Sequence, residues 1–403
     1  MDVVTMLKGM TDPMGIPFYP IAFEVLGVLT FALHILLVNV SLGAVALAVY
    51  GRLKGGARWE RLSGAMAKAG TAAVSGAIVV GVAPLLFVQV LYDPFWYASN
   101  VLSAAWVIGF VFVMMLGYGS LYVFYFGKTK SSSAWGVLSF SCFLLAGAIM
   151  HVLNYQMLLP ERWAGWYEKL GGAVVSGTTL HAFSLPRFLH FIVPSFAVGG
   201  VFLLLYSWYF AARPDFDADY LGWTARLGAR LAFWATAAEA LVGVWWLVAI
   251  PKDLHFTSDP VFLLAAALGV VLLALLWRLS RDPRPQRLAL HAAGGVFAVV
   301  LAMAAAREVL RRLYVGRFGY TVREHPVHLD LGSTALFLGT FVLGVSVLSW
   351  LLAVAFQSGR VAGAWEAGPR MRAWGKLSLG LLAAWIVLVA GFGVFVTLRN
   401  GGF

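Results

Sequence analysis

The chain has 403 residues, 61% hydrophobic and 12% charged, with a mean hydropathy of +0.84. A soluble domain carries about 25% charged residues, so a soluble enzyme, a disordered chain and a nucleic-acid module are excluded. The net charge of +11 suits the basic edges of membrane spans better than a nucleic-acid partner. Cys142 is the single cysteine, which excludes an intrachain disulfide, a cysteine-ligated zinc and a CxxCH haem attachment.

The first apolar run starts near Ile21 and continues past Leu47. It is too long for the core of a cleavable signal peptide, and none is expected. Ten apolar segments are long enough to cross a bilayer, near 21–50, 72–92, 103–127, 135–158, 188–211, 229–250, 260–278, 289–306, 331–356 and 377–397. The expected fold is all-α: a polytopic membrane protein of about ten transmembrane helices.

Basic residues set the orientation. With the first span starting outside, the inner loops hold Arg52, Lys54, Arg58, Arg61, Lys68, Lys128, Lys130, Arg213, Arg226, Arg230, Arg278, Arg281, Arg284, Arg287, Arg360, Arg370, Arg372 and Lys376. These are 18 of the 29 basic residues. The inner (cytoplasmic) membrane is then the expected location, with both termini on the outer face. Five arginines break the pattern by clustering outside: Arg307, Arg311, Arg312, Arg317 and Arg323. They call for a local explanation.

The first and fifth spans share a register. Leu33-His34 is followed by Gly43 and Tyr50, and Leu189-His190 by Gly199 and Tyr206, at an offset of 156 residues. The same offset carries His151 onto Arg307. A unit of four spans repeated once points the same way both times. The expectation is two parallel four-helix bundles and a peripheral helix pair. In residue ranges, 1–212 holds the first bundle and the start of the second, 188–312 the second bundle, and 313–403 the extra pair.

Helix rise fixes depth. His34 lies about 17 residues before the inner end at Arg52, roughly 26 Å along the helix, in a hydrocarbon layer about 30 Å thick. By the same reckoning His151 and His190 reach a similar outer level, with Arg187, Arg307 and Arg311 at or just above it. Intramembrane ionisable groups are costly and usually functional. Imidazoles on helices ligate haem, and boundary arginines suit its propionates. Interhelical packing or hydrogen bonding is the plainer account of each histidine. Met303, one turn before Arg307, is a candidate thioether ligand or a filler. Glu24 and Glu239 fall within spans, as proton-path groups or at wet ends. His181, His255, His325 and His328 are expected in solvent at the outer loops, and His291 near the inner surface. His325 and His328 have a metal-compatible spacing but no acidic or cysteine partners.

At these residues the chain resembles subunit I of the cytochrome bd quinol oxidase superfamily. Arg187 to Phe202, RFLHFIVPSFAVGGVF, is similar to that family's fifth helix, whose opening histidine ligates the low-spin haem b. Phe31-Ala-Leu-His34 through Leu42-Gly43 resembles its first helix, whose histidine ligates a haem of the high-spin pair. Ala83 to Leu91 resembles the segment between its second and third helices, and Asn154 to Pro160 the end of its fourth. The resemblance covers residues 20–212 and fades beyond them. It implies haem b, two or more, quinol as substrate, and other membrane subunits as partners.

The sequence also departs from that family. Gly109 and Gly117 stand where its third helix carries two glutamates. About ten residues join spans six and seven, in place of a long quinol-binding loop, and Lys252 and Asp253 are nearest to it in position. No methionine lies in 260–278, and the arginine motif after span eight is only echoed by Arg307 to Tyr314.

The expected function is a haem-b membrane subunit of a respiratory complex. It would pass electrons between quinol and outer-face partners such as c-type cytochromes. His34 and His151 would share one haem, His190 would hold another with Met303 as sixth ligand, and Arg187, Arg307 and Arg311 would meet propionates. The alternatives are a bd-type oxidase with a rebuilt oxygen site, and a haem-free transporter or structural anchor.

Overall fold

A computed structural model describes residues 3–127, 129–169 and 177–401; Lys128 lies outside the described residues. Among the described residues ten helices are long and apolar enough to span a membrane, and the protein is a multi-pass membrane protein. The first bundle comprises α2 (Pro20–Lys54), α3 (Ala57–Leu91), α5 (Ala104–Phe126) and α6 (Ser133–Gln156). The second comprises α8 (Leu185–Ile192) continued by α9 (Pro194–Phe210), then α10 (Ala218–Ala249), α11 (Pro260–Arg281) and α12 (Ala289–Gly316). Short helices α1 (Val3–Met10), α4 (Asp93–Leu102) and α7 (Trp163–Lys169) lie between spans or before them. The peripheral pair is α13 (Leu331–Ser358) and α14 (Pro369–Arg399).

Several helices outrun the apolar runs that predict them. The 35 residues of α3 make a rod of about 52 Å at 1.5 Å per residue, against roughly 30 Å of hydrocarbon. Its first turns carry Arg58, Arg61 and Lys68, which are therefore helical rather than in a loop. Likewise α10 starts at Ala218 and α12 runs on through Arg307 and Arg311 to Gly316. The fifth span is broken at Val193. Pro194 has no N–H to give the carbonyl of His190 four residues back, so the ladder lapses at the histidine.

The two bundles meet at α2 and α9. Ser195 Oγ donates to Asn39 Oδ1 at 2.9 Å, across 156 residues. One turn further on, a Cβ built on Gly43 would fall 3.0 Å from Gly199 Cα, and one built on Gly199 would fall 3.2 Å from Gly43 Cα. Equivalent positions therefore touch each other twice along the pair. Antiparallel helices would diverge from that register, so α2 and α9 run parallel about a pseudo-two-fold axis. A second pair of contacts obeys the same exchange. Arg307 lies over the Phe31 ring at 4.1 Å, and Arg187 Nη1 donates to His151 O at 3.3 Å; the offset maps Phe31 onto Arg187 and His151 onto Arg307.

Three apolar clusters fill the interior. One belongs mainly to the first bundle, around Val45, Met66 and Phe124. One belongs mainly to the second, around Leu204, Ala232 and Leu276. The third, at the histidine end, joins both bundles through Tyr92, Phe95, Leu153, Met157, Leu310 and Tyr314. By contrast α13 buries no residue and α14 only Gly375 and Ser378. That pair is stitched internally by Ser346–Ser378 at 2.9 Å and by Trp385 Nε1 donating to Thr340 Oγ1 at 2.8 Å. Tyr209 OH ties it to α9's bundle by donating to Phe356 O at 2.8 Å.

At Gly43 an added Cβ would sit 2.3 Å from the backbone oxygen of Ser195. Gly43→Ala is expected to cost about 1–3 kcal/mol by overpacking and to lower the unfolding midpoint in detergent. Gly64→Ala, with nothing within 4 Å of its Cβ, is expected to match or exceed the wild type, since alanine gains up to about 1 kcal/mol in a helix. Differential scanning fluorimetry on both variants checks this.

Candidate haem-binding site

Three arginines singled out in the sequence, Arg187, Arg307 and Arg311, come together in one pocket, which His34, His151 and His190 do not line. Because α12 continues past the apolar run, Arg307, Leu310, Arg311 and Tyr314 lie on one helical face and line one pocket. Asn154, Tyr155 and Leu158 from α6 and its end, Ser184 and Arg187 at the start of α8, and Trp246 and Ala249 from α10 complete its wall. The pocket is small, with a cavity volume of about 50 Å³, and is partly open to solvent.

Three guanidinium groups converge there. Arg187 is buried, donates to His151 O, and lies over the Tyr155 ring at 5.2 Å. Arg307 Nη2 donates to Asn154 Oδ1 at 2.8 Å. Arg311 Nη1 pairs with Glu308 Oε2 at 2.7 Å, and the other oxygen of Glu308 accepts from Tyr92 OH at 2.5 Å. Burial, and Glu308 beside it, hold the Tyr92 phenol well above its ordinary range, so it serves as a donor. Among the described residues neither Arg187 nor Arg307 forms an ion pair. Arg187 is buried and Arg307 half-buried; cations so placed without counter-ions are costly, and the pocket they face suits an anionic group.

Most of the outlying arginine cluster is held locally. Beyond the Arg311–Glu308 pair, Arg312 approaches Glu24 at 3.6 Å and Arg317 meets Asp253 at 2.9 Å. Acid partners thus hold three of the five arginines in this cluster. Asp253, in the short connection before α11, is thereby engaged, while Lys252 is exposed.

The histidines divide into two kinds. On α2, His34 Nδ1 lies 2.9 Å from Ala77 O of α3. On α8, His190 Nδ1 contacts the carboxylate of Glu239 on α10. Beyond each partner by one turn stands a glycine against the ring. A Cβ on Gly81 would fall 2.7 Å from His34, and one on Gly243 would fall 3.6 Å from His190. Ala77 and Glu239, and Gly81 and Gly243, are both 162 residues apart, so the two rings have equivalent neighbours in the two bundles. Among the described residues no hydrogen bond reaches Nε2 of either ring. His151 differs. It is buried, its Nε2 accepts from the Ser184 N–H at 3.2 Å, and its Nδ1 is buried without a partner.

Met303 is half-buried against the apolar cluster of this end, as a filler thioether would be. His255, His291 and His328 are exposed as expected. His325 is not: it is buried, with Nε2 on Tyr320 OH at 2.8 Å and Leu91 O at 3.3 Å. The 320s loop is drawn in by the bridge between Ile16 and Val327, which the sequence does not signal. His181 is half-buried too, stacked on Trp166 at 5.2 Å with Nε2 3.2 Å from Leu102 O. Burial lowers its pKa from the usual imidazole value.

Gly81→Ala is expected to push the His34 ring off Ala77 O, at about 0.5–1.5 kcal/mol for the lost hydrogen bond. Gly243→Ala, whose Cβ clears His190, leaves that ring in place. Density maps of the two variants read the ring positions directly.

No family model matches the sequence, and no curated protein matches it. Among solved structures, the bd oxidase from Geobacillus thermodenitrificans is similar, with a TM-score of 0.60 at 14% sequence identity, covering 85% of this chain and 98% of that one. With its ten spans in two bundles and a peripheral pair, this chain has a divergent bd-oxidase-like fold.

Proposed function

We propose that the protein is a haem-b-binding membrane subunit of a respiratory complex. It passes electrons between quinol and redox partners at the outer face, c-type cytochromes among them. One observation carries this: the matched setting of His34 and His190. Each lies on the first span of its bundle, each has Nδ1 against an oxygen of the following span (Ala77 O for His34, the Glu239 carboxylate for His190), and neither has a hydrogen bond at Nε2 among the described residues. A metal-ligating histidine typically gives its other ring N–H to a carbonyl or carboxylate, so both rings fit the role of axial ligand. The bd-oxidase-like fold supports the same reading.

Haem, when bound, supplies one-electron chemistry. The residues of the chain supply the rest. Ala77 and Glu239 orient the two imidazoles. Arg187, Arg307 and Arg311 offer charge-assisted hydrogen bonds to propionates, and the pocket they line gives those carboxylates a place among otherwise uncompensated cations. His151, whose Nε2 is occupied, offers iron only Nδ1 and stands third as a ligand. It also anchors Arg187 through its carbonyl. The apolar cluster around Phe95, Leu153 and Leu310 keeps water from that end of the bundles.

The oxygen-reducing alternative draws less support. The helix α5 carries no Asp, Glu, His, Lys or Arg. A Cβ on Gly117 would fall 2.8 Å from Cys142 Cβ, so α6 occupies the space that a carboxylate there would need. Reduction of oxygen consumes protons, and their delivery uses ionisable groups.

His34→Ala and His190→Ala are each expected to remove one b-type absorbance band, lowering haem content by one per chain while the protein still inserts. Arg307→Leu is expected to weaken haem retention without abolishing it. Haem extraction and difference spectra of the purified variants check both, and unchanged haem content in both histidine variants would overturn the reading. The intact complex is expected to reduce cytochrome c with quinol rather than to take up oxygen.

A further inference from the structure

The two repeats hold their histidines with acceptors of different charge. In the first bundle the acceptor is neutral, the backbone oxygen of Ala77. In the second, the corresponding position is Glu239, whose carboxylate contacts His190 Nδ1. Both side chains are only 16% exposed, and apart from this ion-pair contact His190 Nδ1 and both oxygens of Glu239 are buried without a hydrogen-bond partner. Among the described residues His190 is the only basic group in ion-pair contact with Glu239. A carboxylate within a membrane helix is retained at a cost and faces a partner; here that partner is the imidazole alone. Trp246 packs against the ring, with its centroid 4.7 Å from that of His190.

We propose that Glu239 is the positioning residue of His190 and sets the reduction potential of the haem that His190 holds. The proposal rests on the haem reading above. The carboxylate fixes the proton on Nδ1 and thereby presents the Nε2 lone pair to iron. By drawing on the Nδ1–H it also raises the basicity of the ring. A stronger donor stabilises the oxidised iron more than the reduced, so the haem is harder to reduce than it would be with a neutral partner. Hydrogen bonding around an axial ligand is an established lever on potential. His34, with a carbonyl in the equivalent place, receives no such push. The two repeats, alike in backbone, thus tune their haems apart by one side chain.

Spectroelectrochemical titration of the purified holoprotein tests this, with His34→Ala and His190→Ala used first to assign each band. Glu239→Gln keeps an acceptor and removes the charge. It is expected to shift the reduction equilibrium of the His190 band at least tenfold toward the reduced form, about 59 mV for one electron, with the iron–histidine stretch in resonance Raman lowered. The His34 band serves as the control for folding and stays where it is. Loss of only the His190 band in Glu239→Gln, restored in Glu239→Asp, also supports the positioning role. A His190 band unmoved in potential and stretch, or both bands moving together, overturns the proposal while leaving the haem reading intact. Wild-type protein without any haem defeats the haem reading instead.

Discussion

The close approach of α2 and α9 is the constraint on which the rest of the architecture depends. Two glycines, Gly43 and Gly199, let the backbones meet where any side chain would hold them apart. Ser195 and Asn39 lock the register one turn away. Small residues allow this kind of packing between membrane helices, where the hydrophobic effect gives little drive to associate. Because the contact joins equivalent positions, it places the two bundles side by side at one depth. His34 and His190, nine residues before those glycines, therefore reach the same level, and the contacts of Arg307 with Phe31 and of Arg187 with His151 follow as mates.

Charge explains the other half of the design. The histidine end concentrates arginines in a membrane protein, where each charge calls for a partner. Three of them are held by Glu308, Glu24 and Asp253, and Tyr92 braces the first of these acids. What remains is a pocket with Arg187 and Arg307 uncompensated. Positive charge left unpaired in such a site is tolerated when a ligand supplies the counter-charge, and in the proposed function a dicarboxylate macrocycle would do so.

Much of this was legible in the sequence, for definite reasons. Ten stretches of apolar residues announce ten spans because hydrocarbon tolerates little else. The shared spacing of His34–Gly43 and His190–Gly199 announces the repeat, and the common depth of Arg187, Arg307 and Arg311 follows from helix rise. Other features carry no such signal. The charged first turns of α3 and the last turns of α12 stay helical beyond the bilayer, where hydropathy falls silent. The partners of the histidines are hidden as well. Ala77 acts through its backbone, and Glu239 meets His190 only through the rotation of α10 about its own axis, which composition leaves open. His325 reads as a loop residue and is buried because the N-terminal arm pairs with its loop.

The central claim is that His34 and His190 each present Nε2 to iron. A density map of the purified protein tests it most directly. The account predicts a porphyrin against each of these two rings, with carboxylates directed at Arg187, Arg307 and Arg311. Rings packed solely against lipid chains and neighbouring side chains, with no macrocycle beside either, would contradict it.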